Sequence, residues 1–302
     1  MKEFSKSLLK QLPVIGWRYK NYQDYYQNSC FDPGHYYSPI VRVEDAKQRQ
    51  TQIWQDRDKD GIPGINLRTS QQLELMQELA AYYPEMPFKA QKQEGLRYYF
   101  DNDLYTYTDG VILYSMLRHF KPKRIIEAGS GHTSALMLDV NERFFNQEIN
   151  LTFIDPEPNR LLSLMTPEDK ARATVFMTGV ELLDVEQFQQ LQKNDILFID
   201  STHVSKTGSD VNHLFFNILP LLASGVIVHI HDVFYPFEYP KKWVFEGRNW
   251  NEDYLLRAFL MYNSQFDIIH FSDYLQIHHP HAFDAMPATK QENGGNIWLV
   301  KK

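Results

Sequence analysis

From Arg97 to the C-terminus, short uninterrupted apolar runs alternate with segments whose apolar positions recur every three or four residues. The runs are RIIEAG (124–129), NLTFID (150–155), ATVFMTG (173–179), DILFID (195–200) and GVIVHIHD (225–232), then FDIIHFS (266–272) and NIWLVKK (296–302). Between them, helices are expected over His132–Phe145, Asn159–Met165, Val185–Gln192, Ser209–Leu222 and Asn251–Asn263. Runs this rich in Ile, Val and Phe belong to strands covered on both sides, hence to a parallel sheet with a helix layer on each face. Right-handed crossovers then give a doubly wound α/β domain. No helical pattern shows between residues 273 and 295, so a loop is expected there and the last two strands should pair antiparallel. A seven-stranded sheet is predicted, mostly parallel with an antiparallel last strand.

Residues 1–95 are rich in Tyr, Gln and Pro and carry little strand pattern. One helix is clear, Ser70–Tyr83, with Ser70 as N-cap; Pro84 and Pro87 end it. The N-terminal MKEFSKSLLKQLPVIGW is weakly amphipathic and too polar for a signal-peptide core, so it reads as a helix docking on the body. The expected division is a mainly helical extension or cap, 1–95, and an α/β domain, 96–302. The extension would cover the ligand cleft or mediate a homodimer.

Composition narrows the partners. A net charge of −7, with no concentrated basic face, argues against nucleic acid. No apolar run approaches the roughly 18 residues of a membrane span. One cysteine, Cys30, rules out an internal disulfide framework and fits the reducing, cytoplasmic compartment.

In open α/β sheets, ligands bind beyond the C-terminal strand ends, where the winding reverses. The loop EAGSGHTS lies there, and Gly129 and Gly131 let backbone approach a ligand closely. A dinucleotide fingerprint would need a third glycine at Ser134; two glycines alone also suit a purely structural turn. Glu127 stands inside the turn, a poor neighbour for a pyrophosphate and a good one for a cation. Asp155 ends the second run, where an acid reaches a ribose diol. A ligand with a ribose, a positive centre and no phosphate is S-adenosylmethionine (SAM).

The motifs IIEAGSGHTSALML, FIDPEP, ILFIDSTHVSKTGSDVNHLFFNILPLLASGVIVHIHDVF and NIWLVKK resemble the class I SAM-dependent methyltransferases. More narrowly, they resemble the bacterial metal-dependent sugar and macrolide O-methyltransferase-like group (methyltransferase family 24-like). The resemblance runs from about Arg97 to the end and implies a Rossmann-like fold. It implies that Glu127, Gly129 and Gly131 hold the methionine moiety, that Asp155 holds the ribose, and that Gly179 and Val180 border the adenine. Asp109, in TYTDG, is assigned to the amino-acid end. Thr133 stands where the family's loop has a third glycine.

Asp200 and Asp232 end the fourth and fifth runs. Adjacent parallel strands lie about 4.8 Å apart, so two carboxylates at their tips can share a cation. His203 and His231 stand beside them. Related metal-dependent methyltransferases have an acid after the fourth strand and an acidic pair after the fifth; here the first of that pair is His231. The expected metal set is Asp200, Asp232 and His231, with a divalent ion, Mg²⁺ or Mn²⁺; an imidazole ligand shifts preference away from Mg²⁺. Alternation along VIVHIHD puts His231 on the face opposite Asp232, so a buried structural histidine is the competing role. Strand-end acids also commonly cap helices. The catalytic candidates are His203, as general base toward an acceptor hydroxyl, and Asp200. Ligand and structural roles stay open for His203.

Three further segments attract attention. VFYPFEYPKKWVFEGRNW (233–250) reads either as a lid or as a self-packed loop. As a lid it would offer Tyr235, Tyr239, Trp243 and Trp250 for stacking and Arg248 for an acid group. HHPH (278–281) is a compositional hint of metal. DRDKDG (56–61) opens like a calcium loop, but its twelfth position is Leu67, so a solvated linker is expected. The expected function is SAM-dependent O-methylation of a sugar or another hydroxylated small molecule with divalent-metal assistance. A metal-dependent hydroxylase or hydrolase on the same scaffold, and a non-catalytic SAM-binding scaffold subunit, are the alternatives.

Overall fold

The computed structural model describes residues 28–302; the helix expected at the N-terminus lies outside the described residues. Seven strands form one sheet: β1 (Arg124–Ala128), β2 (Asn150–Ile154), β3 (Thr174–Phe176), β4 (Ile196–Ile199), β5 (Ile227–His231), β6 (Phe266–Phe271) and β7 (Asn296–Lys301). Their order is β3–β2–β1–β4–β5–β7–β6. The first five run parallel. β7 inserts between β5 and β6, antiparallel to both. The predicted mixed, doubly wound sheet is therefore present. Every residue of β4 and β5 is buried, which is why those runs show no alternation: both faces meet a helix layer. The winding reverses between β1 and β4, and this opens a crevice at their C-terminal tips.

Apart from the single turn Gln50–Ile53, the described helices are α1 (Val43–Gln48), α2 (Thr69–Ala80), α3 (Tyr107–Phe120), α4 (His132–Phe144), α5 (Asn159–Leu164), α6 (Pro167–Arg172), α7 (Glu186–Gln189), α8 (Asp210–His213), α9 (Lys241–Phe245), α10 (Glu252–Leu260) and α11 (Ser272–His278). Arg68, not Ser70, occupies the N-cap of α2. α8 continues through a π turn, Leu214–Ile218, and a 3₁₀ turn, Leu219–Leu221, so the expected Ser209–Leu222 helix is irregular after its first turn. The sequence pattern missed α3, in which Thr108 through Leu117 are all buried. A helix that is covered all round has no polar face to reveal its period. It also missed α6, although Thr166 and Asp169 form a capping box there. The expected loop between β6 and β7 is corrected as well: it contains α11 and the 3₁₀ turns Pro280–Phe283 and Pro287–Lys290. No described helix is long and apolar enough to cross a membrane.

By internal contacts the chain divides into two units. The smaller ends at Ile53 and includes Lys241–Asn249. Within it α1 packs on α9, and the Arg248 guanidinium lies 4.4 Å from the Trp243 ring centre. The larger comprises Trp54–Pro240 and Trp250–Lys302 and contains the sheet. DRDKDG belongs to this larger unit; it is exposed, as expected of a solvated segment, except at Arg57, which anchors it. Arg57 donates to both carboxylate oxygens of Asp273 at 2.9 and 2.8 Å and to the Tyr235 carbonyl at 2.6 Å. The Tyr235 hydroxyl donates to the Lys59 carbonyl. Tyr235 and Tyr239 are 0% and 3% exposed, so these two rings pack inward and do not offer a stacking face. The HHPH tract does not converge: His278 meets Tyr235 edge-on, His279 reaches the Tyr274 hydroxyl, and His281 pairs with Asp284.

Candidate functional site

A cavity of about 770 Å³ opens at the tips of β1, β2, β4 and β5, a volume typical of small-molecule sites. Of the residues singled out from the sequence, Gly129, Asp155, Gly179, Val180, Asp200, His203, His231 and Asp232 line it. Glu127, Gly131 and Asp109 stand behind that lining.

The glycine loop shows why. Gly129 has φ +88°, and a Cβ there would meet the Asp200 carbonyl oxygen at 1.7 Å. Only glycine lets the β1 and β4 tips approach this closely. Glu127 is fully buried and accepts the hydroxyls of Thr133 and Ser134. The two residues that stand where glycines were sought therefore brace this acid at the start of α4. Burial pushes the Glu127 carboxyl up to about 8, outweighing the two hydroxyls. Asp109 accepts from the Gly295 N–H at 3.1 Å and from the Asn296 side-chain amide; burial raises it to about 6. Asp155, by contrast, is half-buried on the cavity wall. One of its oxygens accepts the Ser130 hydroxyl and the other the Glu157 N–H, each at 2.7 Å. Ser130 could not have been singled out from spacing alone.

The second half of the wall gathers around His203. Its Nε2 lies 3.5 Å from Asp200 Oδ1 and 3.5 Å from Asp232 Oδ2. Its Nδ1 lies 2.9 Å from Oε2 of Glu252, a residue 1% exposed. The His203 carbonyl accepts the N–H groups of Asn251 and Glu252 at 3.0 and 3.2 Å, which fastens the β4 loop to the start of α10. The Trp250 ring centre is 4.6 Å from that of His203. Burial lowers the His203 pKa, but Asp200 and Glu252 outweigh it and hold the ring well above the ordinary histidine value. Asp200 is pushed up by burial, yet His231 and His203 bring it below the usual carboxylate value. His203 and Asp232 have φ of +59° and +55°, conformations that cost energy outside glycine and cluster at working sites. His231 is 5% exposed, with Nε2 3.5 Å from Asp232 Oδ1. Its Nδ1 has no partner among the described residues, and the Tyr105 ring centre is 5.0 Å away.

Glu252 was missed because its partner is 49 positions away, and no local pattern marks such a pair. Among the described residues, no group of three or more His, Cys, Asp or Glu side chains is arranged to hold a metal ion. The His203 imidazole stands where the shared cation was expected.

A family model described as a methyltransferase domain matches residues 126–233, the stretch from β1 to just beyond β5. A protein of Archaeoglobus fulgidus of uncharacterised function is 30% identical over 178 residues, 57% of this chain and 73% of that one. Similar solved structures include the SAH-bound Podospora anserina methyltransferase PaMTH1 (14% identity, 91% of this chain and 99% of that one, TM-score 0.43). Another is the O-methyltransferase TomG from Streptomyces achromogenes in complex with SAM (14% identity, 76% and 89%, TM-score 0.42). The segment from β1 to just beyond β5 is a methyltransferase domain.

Proposed function

We propose that the strand-tip cavity binds SAM and that the enzyme moves its methyl group to a hydroxyl oxygen of a small molecule, with a sugar as the favoured acceptor. Asp155 retains lone pairs for the ribose diol, Gly179 and Val180 border the adenine, and the Gly129 turn runs beside the methionine moiety. The methyl of a sulfonium is already activated, so the protein has to align it with an oxygen and take that oxygen's proton.

One observation carries the catalytic half: His203 lines the cavity while its other ring nitrogen is held at 2.9 Å by buried Glu252. A carboxylate behind an imidazole fixes its orientation and tautomer. The competent form of this base is the neutral ring, so turnover should climb with pH above the ordinary histidine range. A divalent ion is not part of this reading. The carboxylates of Asp200 and Asp232 do not fit one as arranged, because the imidazole occupies the space between them.

Calorimetry with S-adenosylhomocysteine (SAH), with EDTA and then with added Mn²⁺, tests the reading. Equal micromolar-range binding in both, followed by methyl transfer to a hydroxylated acceptor in EDTA, is expected. No nucleoside binding would remove the SAM assignment. Transfer that needs Mn²⁺ would restore the metal and demote His203.

A further inference from the structure

SAM is a zwitterion. Its sulfonium and ammonium suit a wall carrying Asp155, Asp200 and Asp232, but its carboxylate needs a cation in the same cavity. Arg160, in the first turn of α5 and five residues after Asp155, lines that cavity. The side chain lies across the glycine loop: a Cβ built on Gly131 would stand 3.3 Å from its Cδ and 3.5 Å from its Nη1. Among the described residues, its guanidinium makes no hydrogen bond or ion pair. Arg57 and Arg97 are by contrast occupied, Arg57 by Asp273 and Arg97 by Asp139 and Asp169. An uncommitted guanidinium beside a nucleoside-sized cavity has its paired donors free for a carboxylate.

We propose that Arg160 binds the carboxylate of the methionine moiety, with Gly131 bare of a side chain so that the arginine can lie over the loop. This rests on the cavity being the SAM site. Calorimetry on Arg160→Ala and Arg160→Lys, each with SAH and with 5′-methylthioadenosine, tests it. The second ligand keeps the adenosine and the sulfur and lacks the amino-acid portion. Arg160→Ala should bind SAH about 10- to 100-fold more weakly, as expected for a lost charge-assisted pair, and methylthioadenosine within twofold of the parent enzyme. Arg160→Lys should recover part of the loss. An equal loss for both ligands, or none for SAH, overturns the assignment while leaving the cavity a SAM site. If the unaltered enzyme binds neither ligand, the SAM reading and this inference fall together.

Discussion

The larger unit holds two clusters of acids around one base, and they are finished differently. At Arg97 all three guanidinium nitrogens meet a carboxylate. Its Nη1 reaches Asp139 at 2.7 Å, its Nε and Nη2 hold Asp169 at 2.7 and 2.8 Å, and the backbone N–H groups of Arg97 and Tyr98 also donate to Asp139. At His203 one acid, Glu252, is bonded at 2.9 Å, but Asp200 and Asp232 stand off at 3.5 Å, two residues hold left-handed backbone, and both His231 Nδ1 and Glu252 Oε1 lack a partner among the described residues. Saturated geometry is what a structural ion cluster needs, because burying a charge is costly unless every lone pair is met. Geometry left incomplete is what a working site keeps for its substrate. The residue types are nearly the same; only the completeness of bonding separates them.

The sharpest way to break this contrast is at His203. His203→Asn keeps a donor for Glu252 and removes Nε2 from the cavity. Turnover should fall about 10²- to 10⁴-fold, the usual worth of a general base, while SAH affinity by calorimetry stays within a few-fold. A loss below tenfold would place His203 with the structural residues.

The mirror experiment is Arg97→Ala. It strands Asp139 and Asp169, and Asp139 is 1% exposed. Breaking a buried pair in this way should cost about 3–5 kcal/mol, read as a lowered urea midpoint with an unchanged slope. SAH affinity of the folded protein should not move. A shift under about 1 kcal/mol would mean that saturated bonding does not mark a structural role here.

This contrast was only half legible in the sequence. The runs ending in Asp155, Asp200 and Asp232 announced their strands, because continuous apolar stretches closed by an acid have few other meanings in an alternating chain. The seven strands followed from order and spacing, and the glycine loop after the first was placed at the cleft; that the winding reverses between β1 and β4 is read from the sheet order. What stayed hidden was non-local or all-apolar. α3 conceals its period by being buried on every side. Glu252 and Arg160 gain meaning only when the fold brings α10 to His203 and α5 to the glycine loop. Glu127 was visible, but its orientation was not. Whether a carboxylate faces a ligand or two helix hydroxyls is decided by rotamers, which no spacing encodes.

Glu127 supplies the smallest and most discriminating effect, since it is an acid of the strand tips bonded like one of the Arg97 cluster. Burial raises its carboxyl from the ordinary 4.5 to about 8 in the fold. Between those values the native state keeps a proton that the unfolded chain has shed. Native protein therefore binds more protons across this window, and stability must fall as pH rises through it, levelling off above about 8. Glu127→Gln is neutral throughout and loses that contribution. Urea midpoints at pH 5 and pH 8 should fall further in the parent protein than in the variant. The gap should be about 1–3 kcal/mol, below the full linkage value because Thr133 and Ser134 can turn to serve the ionised form. Parallel pH profiles would mean that Glu127 is already ionised in the fold. Its charge would then be available to the sulfonium, and the division between finished and unfinished acids would run through the glycine loop, with Glu127 on the working side.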